Sequence, residues 1–557
     1  MLVRPEWLCL NGAWEYQLAG PSRRLDGVIT VPFAVETAAS GVQQACLPED
    51  VLSYSRVVEN PWPGRRVLLN FEAVDYRCRV LIDGVLAAEH TGGYLPFSVE
   101  LLDAPRWQVD VEVTDPSDSG FQQHGKQALE PFGIWYTATS GIWGTVWLEP
   151  LPANAVTRVL CEPRRGLDGF DVTVSTELPG RVRVSVGLPD GGEAVVEGRA
   201  GVPLRVDLAE PRLWSADDPH LYPVTVTAGE DRVGSWAGLR TVEIGPIPGR
   251  EGEVPGVLLN GQPVLLNTPL DQGYWPESGM TPPSDAALVH DLSTMKGLGF
   301  NGLRMHIKVA SRRWYHHADT LGLLVVQDMV SGGKPRVGLK GSGLVQALDL
   351  TAEDRSQRAM KAAGRGDEAN REEFRRELAE MVELLRVHPS IVCWVPFNEA
   401  WGQFDAAGAA EQVRALDPTR LIDHASGWYD QGVGDFRSRH RYVLKLKPPP
   451  RRDARPFYLS EFGGYNLAVP GHLWSETERF GYRHFDDEAG LAVGLTKLWR
   501  DQLIPLVSRG LRACVYTQVS DVEIETNGLM TYDRKVLKVD AALMRQLNAE
   551  LYAAFAG

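Results

Sequence analysis

Ile391-Val392-Cys393-Trp394-Val395-Pro396-Phe397-Asn398-Glu399-Ala400-Trp401 is the stretch whose reading decides the fold. Residues 391–397 are apolar throughout, the pattern of a strand buried on both faces. The segment before them, 371–387, places Phe374, Leu378, Met381 and Leu385 at helical spacing and ends at His388-Pro389. Working outward, the same succession of helix and short apolar strand recurs. Residues 285–298 precede Gly302-Leu303-Arg304-Met305-His306, and 311–320 precede Leu323-Leu324-Val325-Val326. Downstream, 406–416 precede 421–424, and 496–508 precede 511–516. This alternation from 247 to the end predicts a (β/α)8 TIM barrel, which needs roughly 250 residues. A doubly wound sheet is the rival, but no glycine-rich phosphate loop opens any unit. Residues 331–370, with Gly332-Gly333 and Gly341-Ser342-Gly343, read as a long excursion after the third barrel strand.

Upstream the texture is β. Val109-Asp110-Val111-Glu112-Val113, Val182-Arg183-Val184-Ser185-Val186 and Val224-Thr225-Val226-Thr227 alternate with period two, and Asp83-Gly84 and Asp190-Gly191-Gly192 signal turns. A break at Glu149-Pro150-Leu151-Pro152 divides the region into two sandwiches. The expected domains are 1–151, 152–246 and 247–557.

Composition narrows the function class. Apolar residues at 44% and charged residues at 23% of the 557 exclude a disordered chain. A formal charge of −15 argues against nucleic acid as a partner, and the one basic pair noted is Arg451-Arg452. No apolar run approaches the roughly 18 residues of a membrane span, and the N-terminus carries no apolar leader, so a cytoplasmic location is expected. The six cysteines form no CxxC pair, so neither a zinc site nor a disulfide framework is expected; no metal-ligand cluster is evident in the sequence, so no essential cofactor is expected beyond an incidental Mg2+ or Ca2+. Most of the 16 tryptophans are expected in cores.

In a TIM barrel the active site lies at the C-terminal ends of the strands. Those ends read Arg304 and His306; Gln327 and Asp328; Asn398 and Glu399; Asp423 and His424; Glu461; Gln518, with Asp521 just beyond. Any single member is an ordinary polar strand exit. The pair Glu399 and Glu461 differs: each ends an apolar strand, and two carboxyls converging across a barrel mouth are what glycoside hydrolysis requires.

These residues resemble glycoside hydrolase family 2, the β-galactosidases, β-glucuronidases and β-mannosidases. The resemblance covers nearly the whole chain. Leu10-Asn11-Gly12-Ala13-Trp14 looks like the family's opening strand, and Gly92-Gly93-Tyr94-Leu95-Pro96-Phe97 and Ser140-Gly141-Ile142-Trp143-Gly144 look like its jelly-roll sandwich. Trp214 through Tyr222 is similar to its immunoglobulin-like middle domain. Asn398-Glu399-Ala400-Trp401-Gly402 resembles its acid/base motif, and Ser460-Glu461-Phe462-Gly463 fits its nucleophile position. The resemblance implies a retaining exo-glycosidase acting on an oligosaccharide or glycoside, with Glu461 as nucleophile and Glu399 as acid/base. It implies Asn398 on the sugar 2-hydroxyl, Arg304 beneath the nucleophile, and His440 and Tyr442 at the end of strand six, Tyr442 donating to Glu461. Trp401 and Trp428 are candidate stacking walls, and His306 and Gln518 further substrate contacts.

The sequence also departs from the family. The Asn-x-Lys by which the glucuronidases bind uronate is replaced by Glu525-Thr526-Asn527 before Gly528, which favours a neutral sugar: a β-galactoside, β-galactofuranoside or α-L-arabinoside. Asp271, Asp328, Asp521 and Glu523 are candidates for its hydroxyls. The rivals are a non-catalytic carbohydrate-binding protein on a hydrolase scaffold and a transglycosylase. The two sandwiches offer surface for a homodimer.

Overall fold

A computed structural model describes residues 2–250, 253–336, 344–345, 348, 350–448 and 453–557. Gly341-Ser342-Gly343 and Arg451-Arg452 lie outside the described residues.

The alternating segments at the N-terminus pair into two facing antiparallel sheets. Six strands run in the order Arg24–Val31, Gly12–Ala19, Val51–Glu59, Arg106–Thr114, Arg77–Ile82, Val85–Thr91. Four more, Leu8–Cys9, Val146–Leu151, Arg66–Phe71 and Phe97–Leu101, cover them. Inward residues at period two, such as Val109, Val111 and Val113 with Trp14 and Trp107, make one apolar core. A second sandwich packs a three-stranded sheet (Val156–Pro163, Gly169–Thr176, Leu204–Asp207) against a four-stranded one around Val172, Val184 and Val224.

The barrel follows. Leu270–Asp271, Gly302–Met305, Leu324–Asp328, Ile391–Val395 and Leu421–Ile422 form one parallel arc. Leu266–Asn267, Leu511–Thr517, Phe457–Gly463 and Arg437–Arg441 form the other. The first strand is shared: Leu266 and Asn267 pair with the eighth strand, Leu270 and Asp271 with the second. The expected multidomain architecture, two sandwiches and a TIM barrel, is therefore present. The strands are buried end to end, which explains their unbroken apolar runs.

One helix differs from expectation. The segment expected at 496–508 is instead an α-helix from Glu488 to Leu498, then a wider turn Trp499–Leu503 and a 3-10 turn Ile504–Arg509. Pro505 has no N–H to give an α-helical ladder, so the helix rewinds there. Trp14, Trp107, Trp214, Trp314, Trp394 and Trp499 are among the largest fully buried side chains, the core role expected of them. Among the described residues no helix is long and apolar enough to cross a membrane.

Candidate active site

Arg304 organises the barrel mouth. It lies near the end of the second strand, is fully buried, and uses its whole fork. Nε donates to Asp328 Oδ1 at 2.9 Å, and one terminal nitrogen donates to the Ser460 carbonyl at 2.8 Å and to Glu461 Oε1 at 3.3 Å. The other donates to Asn398 Oδ1 at 2.9 Å. That bond fixes the Asn398 amide: its oxygen is taken from below, so its NH2 turns to the other side. Asp328 also accepts from His306, whose Nδ1 lies 2.7 Å from Oδ2. Burial holds His306 well below the usual histidine range, so the neutral ring donates through Nδ1 and leaves Nε2 as an acceptor.

Glu461 lies within the seventh strand and Glu399 just beyond the fourth. The loop carrying Glu399 is bent sharply: Glu399, Ala400 and Gly402 have φ of 53°, 56° and 61°. A left-handed Glu is strained backbone, held here by bonds from Glu399 N–H to the Ser426 carbonyl and Trp401 N–H to the Asn398 carbonyl. Gly402 must be glycine, since a Cβ there would meet the Gly332 carbonyl at 2.0 Å. The bend aims Glu399 across the mouth. Donor atoms of Glu399, His440 and Glu461 all lie within 4.8 Å of one another.

His440 bridges the pair, with Nδ1 2.9 Å from Glu399 Oε1 and 3.4 Å from Glu461 Oε2, and Nε2 3.2 Å from Ser426 Oγ. Burial pushes His440 down to about 4, so it is neutral at pH 7. Tyr442 donates a short hydrogen bond to Glu461, and Tyr482 stacks on the Tyr442 ring at 4.0 Å. Glu399 keeps 27% of its side-chain surface at the open mouth, but the walls around it strip enough solvent to push it up to about 7. Burial also raises Glu461, and the positive Arg304 at 3.3 Å opposes that rise. The two carboxyls thus sit in unequal surroundings, one gripped by cation and phenol, one facing a neutral imidazole. Unequal surroundings of this kind separate an acid from a base or nucleophile.

Trp428 is buried edge-on to His440 at 5.5 Å, and Trp401 is buried against His124 and Trp135. Asp328 is a buried support for Arg304 and His306, with 1% of its surface exposed. Asp271 is turned into its own loop, where it accepts from Gly273 N–H at 2.8 Å. Asp521 is engaged below the mouth: its Oδ1 accepts from Lys538 at 2.6 Å and from Gly528 N–H at 2.7 Å. Asp328 and Asp521 are thus each held in a buried ion pair and Asp271 by a backbone N–H, with Asp521 Oδ2 left without a hydrogen bond among the described residues. Gln518 donates to Asn527, which donates to Glu525, which accepts from Tyr136.

Tyr136 belongs to the first sandwich, and so do the residues the sequence reading missed. The loop 121–138 seats His124, Lys126, Trp135 and Tyr136 at the barrel mouth. Its backbone is tied down by Gly125 N–H to the Ser331 carbonyl at 2.9 Å and by Thr137 N–H to Glu523 at 2.8 Å. Nothing in its local sequence signals this, because the contacts span more than 200 positions.

The family model described as glycosyl hydrolases family 2, TIM barrel domain, matches residues 257–551, more than half of the chain. The chain belongs to glycoside hydrolase family 2. Solved structures share the whole architecture. A family 2 β-galacturonidase from Eisenbergiella tayi is 20% identical with a TM-score of 0.70, over 98% of this chain and 97% of that one. The β-glucuronidase from Ruminococcus gnavus is 18% identical at 0.72 over 97% of each chain. The β-D-glucuronidase of Dictyoglomus thermophilum is 17% identical at 0.75 over 98% and 97%. At these identities the likeness speaks for the fold. Family membership makes this chain a retaining glycoside hydrolase.

Proposed function

We propose that this family 2 hydrolase removes a terminal non-reducing sugar by double displacement, with Glu461 as nucleophile and Glu399 as acid, then base. The observation that carries this is the approach of the two carboxyls, whose oxygens lie within 4.8 Å of each other. Retaining enzymes hold theirs about 5–5.5 Å apart; inverting ones need a wider gap for water. Glu461 attacks the anomeric carbon as Glu399 gives its proton to the departing oxygen. Glu399, now ionised, takes a proton from water, which attacks the same carbon and frees Glu461. Arg304 and Tyr442 keep Glu461 an anion and orient it. The NH2 of Asn398, turned away from Arg304, suits the sugar 2-hydroxyl, where a bond strengthens in the transition state.

For the sugar, the reading is a neutral one: a galactoside, galactofuranoside or arabinoside. A carboxyl group, Glu525, stands where an acidic sugar would need a cation, held by Tyr136 and Asn527, and the nearby Lys538 is consumed by Asp521. A uronide is the second reading. It is favoured by relatives solved with galacturonate and with D-glucuronic acid, and by Lys126 at the mouth. A panel of p-nitrophenyl hexosides, pentosides and uronides tests both, with E461Q as the control. Turnover confined to the uronides would overturn the neutral-sugar reading, and unchanged turnover by E461Q would overturn the nucleophile.

A further inference from the structure

Lys126 lies on the first sandwich, 273 positions before Glu399 in the chain, yet its loop is seated on the barrel: Gly125 N–H donates to the Ser331 carbonyl, and the Lys126 ammonium stands over Tyr136, whose hydroxyl donates to Glu525. The placement follows from how the loop is seated. Gly125 has φ +62°, and a Cβ there would lie 2.9 Å from Tyr94 Oη and 3.1 Å from the Ile307 carbonyl, so the backbone presses against the loop that follows the second barrel strand. Tyr94 donates to the His124 carbonyl at 3.0 Å, and Tyr136 N–H donates to the Lys126 carbonyl at 2.8 Å. The residue is therefore clamped on both sides.

Its ammonium lies 5.9 Å from the Tyr136 ring centroid, within cation–π range, and half-buried. Its charge acts on Glu399, Glu461, His306 and His440, which stand on four sides of the mouth. Among the described residues the ammonium makes no hydrogen bond or ion pair, and Glu525, which accepts from the Tyr136 hydroxyl, is already bonded twice. An ammonium carries three donors and no acceptor. The residue is half-buried, and among the described residues no protein oxygen satisfies those donors. What enters the mouth is a sugar, whose surface is a ring of acceptor oxygens.

We propose that Lys126 is a substrate-binding residue, donating from the sandwich to an oxygen of the terminal sugar held between Glu399 and Glu461. This rests on the glycosidase reading of the site and adds to it a specificity contact from another domain. The acceptor is a hydroxyl in a neutral sugar and a carboxylate in a uronide.

The test uses the full-length enzyme with K126M, which keeps the length and loses the charge, and K126R, which keeps the charge. Substrates are the best aryl glycoside of the panel, its monodeoxy analogues and its uronide counterpart. K126M is expected to lower kcat/KM by about ten- to a hundredfold, the usual worth of one charged hydrogen bond, with K126R in between. One monodeoxy analogue, lacking the contacted oxygen, should be cleaved equally by wild type and K126M. A loss concentrated on the uronide identifies a carboxylate acceptor; a loss on the neutral glycoside identifies a hydroxyl. Wild-type kcat/KM for K126M on every substrate would overturn the proposal. So would an equal loss on all deoxy analogues, which marks a merely structural lysine. Calorimetric binding of the free sugar to E461Q and to E461Q/K126M keeps the two readings apart. If E461Q still turns over, the nucleophile assignment fails while the binding comparison still reads Lys126.

Discussion

Replacing Glu399 by Ala should separate good from poor leaving groups. Glu399 is pushed up to about 7 by the walls around it, so about half the free enzyme carries the needed proton at pH 7, and about a tenth at pH 8. A positioned acid contributes roughly a hundred- to ten-thousandfold. With a disaccharide or alkyl glycoside, whose leaving oxygen cannot depart as an anion, E399A should lose that full amount. With an activated aryl glycoside of the same sugar, glycosylation should lose far less. The assay is kcat/KM for both substrates from pH 5 to 9, since kcat/KM reports ionisation of the free enzyme, the state described above. For wild type on the poor leaving group, kcat/KM should fall about tenfold per pH unit above 7, and this limb should vanish in E399A. Equal losses on the two substrates, or an alkaline limb that survives in E399A, would refute the assignment and the reasoning from burial behind it.

Two further outcomes follow from the buried charges. R304M should leave Asp328 and Glu461 buried without their cation, costing about 3–5 kcal/mol of stability by denaturant unfolding. R304K should recover part of the stability and little activity, because an ammonium cannot reach Asp328, Glu461 and Asn398 from one fork; equal activity for R304K would sink the forked role. Stability should fall between pH 6.5 and 8. Glu36 and Glu377 are pushed up to about 8 by burial, against about 4.3 in an unfolded chain. The folded state keeps protons that the unfolded state has released, so stability is lost as pH rises towards 8, by up to about 1.4 kcal/mol per pH unit for each group. His90, His124, His424 and His440, pushed down to about 4, act in the opposite sense but finish titrating near 6.5 in the unfolded chain. Melting temperatures at pH 6.5 and 8 check this, and E36Q with E377Q should flatten the difference.

How much of this was legible depended on whether a signal was local. The barrel strands announced themselves because burial on both faces demands unbroken apolar runs such as Ile391 to Val395. Glu399 and Glu461 followed, since a strand's end fixes where its next side chain points. For Asp271 and Asp521 a strand end says only that a carboxylate is near the mouth, not that Gly273 N–H or Lys538 also binds it. The rewound helix near Pro505 lay within reach of its proline. Lys126, Trp135 and Tyr136 were invisible, because no periodicity links a sandwich loop to a barrel rim hundreds of positions away.

That loop has a consequence for how such an enzyme diversifies. The two glutamates proposed to break the bond ride on the barrel, whereas Lys126 and its neighbours ride on a loop between strands of a different fold. Tyr136 and Trp135 pack into the barrel, but the Lys126 side chain does not, so on the proposal above an exchange at that one position can shift the choice of sugar with little risk to the chemistry. The same division means that an excised barrel, even if it folded, would keep both glutamates and lose part of its grip on the substrate.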